Sequence, residues 1–211
     1  MSGHAGRLPV IGAAGSMIVI ISGPSGVGKD TIIRRLREHF DNPRRQFVVT
    51  YKTRQPRTGE VDGVDYRFVD IDEFARLNAT GGLLEASEVH GHWSGTPRDQ
   101  VAQAITAGRD AILKIDVQGA DKIKALVPEA VRIFVAPPDA TVRVQRLAER
   151  ATETAEEQAR RNLDAEFEMA RMTDFDHVVV NETDRVDDTA RQIDAIIARE
   201  HELHPDRRIR L

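Results

Sequence analysis

The sequence contains no cysteine, carries no surplus of positive charge and has no long apolar run. Without cysteine there is no disulfide framework, zinc–thiolate site or cysteine nucleophile, and the composition suits a reducing cytosol. The formal net charge of −4 argues against a broad nucleic-acid-binding surface. No apolar run approaches the roughly 20 residues that cross a membrane. We therefore expect a cytoplasmic protein that binds neither nucleic acid nor membrane.

The composition is that of a globular protein, with 40% hydrophobic and 30% charged residues among 211. This length accommodates one substantial core. Near the N-terminus, Pro9 and Gly12 interrupt the apolar stretch that a signal peptide would require. We expect flexible tails at 1–16 and 205–211, one domain over 17–204, and a monomer.

Short, wholly apolar runs predict buried strands, which alternate with segments of helical spacing. The expected strands are 17–22, 47–49, 111–115, 131–136 and 178–180, and the expected helices include 32–40, 118–126 and 187–203. This alternation predicts an α/β fold of three layers, with helices on both faces of a parallel sheet. A loop-rich stretch from about 50 to 97, with short strands at 66–69 and 83–89, predicts an insertion on that sheet.

A glycine-rich loop lies between the first expected strand and the first helix. Its sequence is Gly23-Pro24-Ser25-Gly26-Val27-Gly28-Lys29. Glycines allow backbone N–H groups to surround phosphate oxygens, the helix N-terminus adds positive potential, and Lys29 can reach the β- and γ-phosphates. The segment therefore predicts the P-loop of a P-loop NTPase core.

The position after the P-loop lysine departs from the usual pattern, which has a serine or threonine hydroxyl there. This chain has Asp30, followed by Thr31. A carboxylate is a competent oxygen ligand for Mg²⁺, so Asp30 is a candidate metal ligand. It also brings negative charge close to the phosphates, and that charge requires compensation.

Arg54 and Arg57 lie three residues apart on a loop stiffened by Pro56. The planar guanidinium group donates two hydrogen bonds at once and so suits a phosphate dianion. A solvated loop with scattered charges would explain this segment equally well in isolation. Its position one helix and one strand after a P-loop favours a second phosphate site.

With these motifs the sequence resembles guanylate kinases over almost all of 17–200. The matching segments are the P-loop, 53–60 with Gly63, Asp65 and Tyr66, then Glu85, 94–96, 115–119, 137–138 and 180–181. The resemblance implies a P-loop core with an inserted GMP-binding unit at about 50–97 and a short helical lid at about 142–162. It implies transfer of the γ-phosphoryl group of ATP to GMP, directly and in line, with Mg²⁺.

The resemblance also assigns the GMP site. Its residues would be Thr50, Arg54, Arg57, Glu60, Tyr66, Glu85, Ser94, Thr96 and Asp116. The two carboxylates that would face guanine make chemical sense, because its 2-amino group and ring N–H are donors that adenine lacks. Guanylate kinases usually have tyrosine where this chain has Ser94, so we expect a weaker site or compensation from Trp93.

For the donor side, the resemblance implies three lid arginines, Arg146, Arg150 and Arg161, and assigns recognition of adenine to Asn181. Positive charge that closes over the transferred group stabilises the charge that develops there. The expected catalytic residues are Lys29, Arg54, Arg150 and Arg161. Read from the residues alone, the lid would be a solvated, salt-bridged pair of helices.

Two other functions stay open at this point. One is a non-catalytic guanylate-kinase-like module that binds phosphorylated peptides, although such modules usually have degraded P-loops. The other is a kinase for a different phosphorylated acceptor, such as a sugar phosphate.

A further departure concerns Lys114, which stands where guanylate kinases commonly have an acidic residue. We predict that Lys114 and Asp30 lie side by side with their charges exchanged. The alternative is a lysine that points into solvent from a strand edge.

Overall fold

The structure is a computed structural model that describes residues 9–12, 14–89, 91–139 and 155–211, without the side chains of 155–162. The strands are β1 (Val10–Ile11), β2 (Ile18–Ser22), β3 (Arg45–Phe47), β4 (Tyr51–Lys52), β5 (Arg67–Phe68), β6 (Leu83–Val89), β7 (His92–Pro97), β8 (Asp110–Lys114), β9 (Val131–Ala136), β10 (His177–Val180) and β11 (Ile209–Arg210). The helices are α1 (Lys29–His39), α2 (Ile71–Ala79), α3 (Arg98–Thr106), α4 (Val117–Leu126), α5 (Ala155–Ala170) and α6 (Val186–Leu203), with a 3₁₀ turn at Met172–Asp174.

Five strands form a parallel sheet in the order β10–β9–β2–β8–β3. The central strand β2 is buried along its whole length, as its unbroken apolar sequence predicts. The edge strand β3 lies two residues earlier than the expected 47–49. Its hydrogen bonding to β8 nevertheless continues to Val48, whose N–H donates to the Ile112 carbonyl at 3.0 Å.

Side chains of β2 alternate between two hydrophobic clusters, as the period of two in a strand requires. Ile18 and Ile20 belong to a cluster with apolar residues of α3 and α4. Val19 and Ile21 belong to a second cluster with residues of α1 and α6. The sheet is therefore covered on both faces, and the predicted three-layer α/β fold is confirmed.

A second sheet, in the order β5–β4–β7–β6, lies wholly within the stretch expected to be an insertion. Helix α2 and strand β7 were not expected there. Asp70 caps α2 by accepting a hydrogen bond from the Glu73 N–H at 2.8 Å, but only Phe74 is buried. One buried residue in nine gives too weak a periodic signal for a helix to be recognised.

The two stretches expected to be flexible tails each contain a short strand. β1 pairs antiparallel with β11, which joins 10–11 to 209–210. Ile209 is 1% exposed and packs in the cluster under α3 and α4. Each strand is only two residues long, so neither shows an alternating pattern by which the sequence could reveal it.

In the described ranges, no helix is both long and apolar enough to cross a membrane.

Candidate active site

A cleft at the carboxyl ends of the parallel strands brings together residues predicted for the ATP site and residues predicted for the GMP site. Strand β2 leads into the P-loop, and β8 ends at Lys114, just before Asp116. Ligand sites concentrate at this edge of open α/β sheets. The cleft is lined by residues 25–30, Lys52, Arg54, Arg57, Tyr66, Val89, His92, 114–116 and Glu168.

The P-loop holds its lysine against its own backbone. Lys29 Nζ donates to the carbonyl oxygens of Gly23 at 2.5 Å and Pro24 at 3.0 Å. Burial lowers the pKa of Lys29, and nearby carboxylates, Glu168 foremost, partly oppose that shift. At Gly23 the φ is 138°, and a Cβ would lie 2.2 Å from the Val135 carbonyl oxygen. No other residue fits there, so this glycine brings the loop close to β9.

Asn181 lies behind the P-loop. Its amide donates to the Val27 carbonyl at 2.7 Å and its oxygen accepts from Thr189 at 3.0 Å. The side chain is 5% exposed. These contacts support the P-loop from behind. Recognition of adenine by Asn181 stays a prediction.

Asp30 and Lys114 are in contact, as predicted. Lys114 Nζ donates to Asp30 Oδ1, which also accepts from the Tyr66 hydroxyl at 2.9 Å. Burial acts to raise the pKa of Asp30, but the Lys114 ammonium outweighs it and holds that pKa well below its usual range. The Lys114 side chain is 9% exposed, so it does not point into solvent from a strand edge.

Arg54 is held on one side of the cleft by a bidentate ion pair with Glu60, both N–O distances being 2.6 Å. Glu60 Oε2 also accepts from the Arg57 backbone N–H at 2.8 Å. Burial acts to raise the pKa of Glu60, but the hydrogen bonds and charges of Arg54 and Arg57 together lower it. The predicted support of the arginine loop by Glu60 is therefore present.

Glu85 is 6% exposed on β6, where its two oxygens accept from Thr96 Oγ1 at 2.8 Å and Ser87 Oγ at 3.0 Å. Burial, and then the charge of Asp116, raise its pKa. A Cβ on Gly119 would lie 3.0 Å from Glu85 Oε2, so a glycine lets α4 approach this carboxylate closely.

Asp116 caps the N-terminus of α4, where its Oδ1 accepts from the Gly119 N–H at 2.9 Å. Within the part of the chain that the structure describes, its buried Oδ2 has no hydrogen-bond partner. A buried acceptor without a partner is rare, and this one lines the cleft beside Glu85.

Thr50 and Trp93 do not line the cleft in the described residues. Thr50 is 1% exposed, and its carbonyl accepts from the Arg67 N–H at 2.8 Å. Trp93 packs on Phe74 with ring centroids 5.9 Å apart. Whether Trp93 compensates for the missing tyrosine therefore stays a prediction, and its described ring contact is with Phe74. Ser94 is buried and accepts a hydrogen bond from Lys52 Nζ instead.

Three predicted lid arginines cannot be placed. Arg146 and Arg150 lie outside the described residues, and Arg161 lies in α5 with its side chain outside the description. The structure adds Glu168 of α5, which sequence reasoning missed. Its carboxylate accepts from the Ser25 N–H of the P-loop, and burial raises its pKa to about 7. A glutamate in a helix rich in acidic residues carries no signal that singles it out.

The described side chains include no group of three or more histidines, aspartates or glutamates that could hold a metal ion.

Comparison with known proteins places this geometry in a family. The guanylate kinase family model matches residues 15–200. A guanylate kinase of Rhodococcus jostii is 43% identical over 183 residues, 86% of this chain and 85% of that protein. One from a Mycobacterium species is 48% identical over 166 residues, 78% of this chain and 83% of that protein. The crystal structure of guanylate kinase from Anaplasma phagocytophilum superposes with a TM-score of 0.71 at 29% identity, covering 91% of this chain and 88% of the other.

Proposed function

Because the chain belongs to the guanylate kinase family, whose reaction moves the γ-phosphoryl group of ATP onto GMP, we propose how its cleft performs that reaction. The P-loop binds ATP at one end of the cleft. The second sheet and the start of α4 bind GMP at the other.

The observation that carries the acceptor assignment is the unpartnered Asp116 Oδ2 beside the buried Glu85. Guanine has two adjacent hydrogen-bond donors, its ring N–H and its 2-amino group, which match the carboxylates of Asp116 and Glu85. Adenine has no 2-amino group and no hydrogen on that ring nitrogen, so it would leave Asp116 Oδ2 unpaired. Thr96, already hydrogen-bonded to Glu85, sets the orientation of that carboxylate.

The phosphate of GMP binds to Arg54, Arg57 and Tyr66. The bidentate contact to Glu60 fixes the plane of the Arg54 guanidinium group, so little side-chain freedom is lost on binding. Arg54, Arg57 and Tyr66 line the same cleft as Lys29. Such an arrangement sets an acceptor oxygen against the transferred group, and phosphoryl transfer depends mainly on positioning and charge.

On the donor side, the P-loop N–H groups and Lys29 hold the phosphates of ATP. Lys29 now donates to two loop carbonyls, and it exchanges these bonds for phosphate oxygens when ATP binds. Arg150 and Arg161 supply further positive charge from the lid, and Asn181 supports the loop from behind.

Mg²⁺ is the cation that this reaction would use, and it would neutralise charge on the phosphates. Asp30 fits it as a single ligand: Oδ1 is taken by Lys114 and Tyr66, whereas no hydrogen bond among the described residues occupies Oδ2. One protein oxygen with phosphates and waters is a usual arrangement for Mg²⁺.

Two other functions would require different features of the cleft. A phosphopeptide-binding module needs the arginine pair but has no use for an intact P-loop with its lysine. A sugar phosphate lacks the two adjacent N–H donors that guanine would present to Asp116 Oδ2 and Glu85. A coupled assay of ADP formation with GMP, AMP, UMP, CMP and ribose phosphates separates these cases. Turnover of GMP well above all others supports the proposal, and turnover of ribose phosphates instead of GMP overturns it.

Glu85→Gln is expected to erode guanine selectivity, because the amide presents a donor where an acceptor is needed. The ratio of kcat/KM for GMP to that for AMP should fall by about tenfold, the effect of one lost hydrogen bond to a charged group. Turnover at saturating GMP should change less.

The matched control is Glu73→Gln on the exposed surface of α2, which makes only a surface pair with Arg76. It should leave the ratio unchanged. An unaltered ratio in Glu85→Gln would mean that Glu85 does not read the base.

A further inference from the structure

Three cations surround the ring of Tyr66 in the cleft. Lys114 Nζ lies 3.8 Å from the ring centroid, and Lys52 Nζ and the Arg54 guanidinium carbon each lie 5.4 Å from it. Such a concentration of positive charge is costly unless each cation has a partner or the site receives an anion.

Two of these cations are neutralised within the protein. Arg54 pairs with Glu60, and Lys114 pairs with Asp30. Lys52 differs from both, because its hydrogen-bond partner among the described residues is the uncharged hydroxyl of Ser94, at 2.8 Å. Lys52 thus has no carboxylate within ion-pair distance among the described residues, and Asp116 and Glu85 act on its charge only at longer range.

The position of Lys52 follows from strand register. Lys52 of β4 lies directly opposite Ser94 of β7, so their side chains emerge on the same face. A small residue at 94 leaves room for a long side chain from the neighbouring strand. The lysine therefore extends across Ser94 towards Tyr66 and lines the cleft together with Arg54 and Arg57.

We propose that Lys52 is a third cation for the phosphate of the acceptor nucleotide, held in place by Ser94. This inference rests on the proposed function, which supplies a phosphate dianion at this side of the cleft. It also explains how the chain binds GMP without the tyrosine that its relatives usually have at position 94. The cation that replaces that side chain comes from the adjacent strand.

The electrostatic surroundings of Lys52 make its charge sensitive to pH. Burial lowers the pKa of Lys52 to about 8, Asp116 and Glu85 oppose this shift, and Arg54 and Lys114 add to it. A lysine with this pKa is charged at pH 7 and loses its charge as the pH rises through 8. GMP affinity should therefore weaken above pH 8, where free Lys52 becomes neutral.

The test compares Lys52→Met and Lys52→Arg with the wild type in steady-state kinetics. Lys52→Met keeps the length and apolar stem of the side chain but removes its charge. We expect KM for GMP to rise by about tenfold or more, with KM for ATP within about twofold. Lys52→Arg keeps a positive charge, so its KM for GMP should lie close to that of the wild type. The control Lys124→Met removes a lysine that pairs with Asp176 away from the cleft, and it should leave both constants unchanged.

A second measurement does not depend on how well the methionine variant folds. GMP binding is followed by calorimetry between pH 7 and pH 9 in the wild type and in Lys52→Arg. Affinity should fall above pH 8 in the wild type and stay level in Lys52→Arg, because arginine does not titrate there. The pKa of Lys29 is also lowered, but Lys29 is present in both proteins, so it contributes equally to their two pH profiles.

Unchanged GMP affinity in Lys52→Met, or the same pH profile in wild type and Lys52→Arg, would overturn the inference. Failure of the proposed function looks different, because the wild type itself would then not phosphorylate GMP.

Discussion

Arg57→Ala is expected to lower kcat/KM for GMP by about 10- to 150-fold, which corresponds to about 1.5–3 kcal/mol for a lost hydrogen bond to a charged group. Arg57 lines the cleft, and its backbone N–H, rather than its side chain, holds Glu60. Truncation at Cβ therefore removes the guanidinium group and leaves the Arg54–Glu60 pair in place. KM for ATP should stay within about twofold, because the P-loop is untouched.

Steady-state kinetics with each nucleotide varied in turn measure this effect. Arg76→Ala is the matched control, since Arg76 is an exposed arginine of α2 paired with Glu73 on the surface. It should behave as the wild type. Normal GMP kinetics in Arg57→Ala would remove Arg57 from the acceptor site.

Lys114→Ala is expected to weaken binding of ATP with Mg²⁺, because it leaves the Asp30 carboxylate beside the phosphates without its cation. Breaking a buried pair from one side costs about 3–5 kcal/mol. Asp30 is 45% exposed, so solvent screens part of this loss. We expect roughly tenfold weaker ATP binding, in line with about 1.4 kcal/mol.

The double variant Asp30→Ser with Lys114→Asp places a hydroxyl and an acid where relatives commonly have them, and should recover activity that either single change loses. A double-mutant cycle on KM for ATP measures the coupling between the two positions. Lys124→Ala breaks a comparable ion pair with Asp176 outside the cleft and should leave KM for ATP unchanged. Strictly additive effects of the two changes would contradict a functional pair.

Much of the fold could be read from the sequence because its signals are local. The apolar runs that became β2 and β9 are buried on both faces, so their hydrophobicity alone identifies them. The glycines and Lys29 of the P-loop follow from what a phosphate requires of the backbone. The contact between Asp30 and Lys114 could be predicted because each charge is unusual at its position and the two charges compensate each other.

Other features depend on contacts between distant segments. The pairing of β1 with β11 joins residues about 200 positions apart, and neither two-residue strand is recognisable without the other. Lys52 carried no signal, because a lysine in a loop-rich stretch is usually solvated. Only the register of β4 against β7 places it across Ser94 and into the cleft.

The sequence by itself determined the family and located the main sheet-forming segments, the glycine-rich loop and the arginine pair, since these depend on local backbone and side-chain chemistry. The tertiary structure decided how charge is distributed in the cleft. It gave Arg54 and Lys114 carboxylate partners, left Asp116 Oδ2 without a hydrogen bond from any described residue, and set Lys52 beside a neutral hydroxyl. Charge pairing depends on distances of a few ångströms between residues far apart in the chain, and only the packed fold sets those distances.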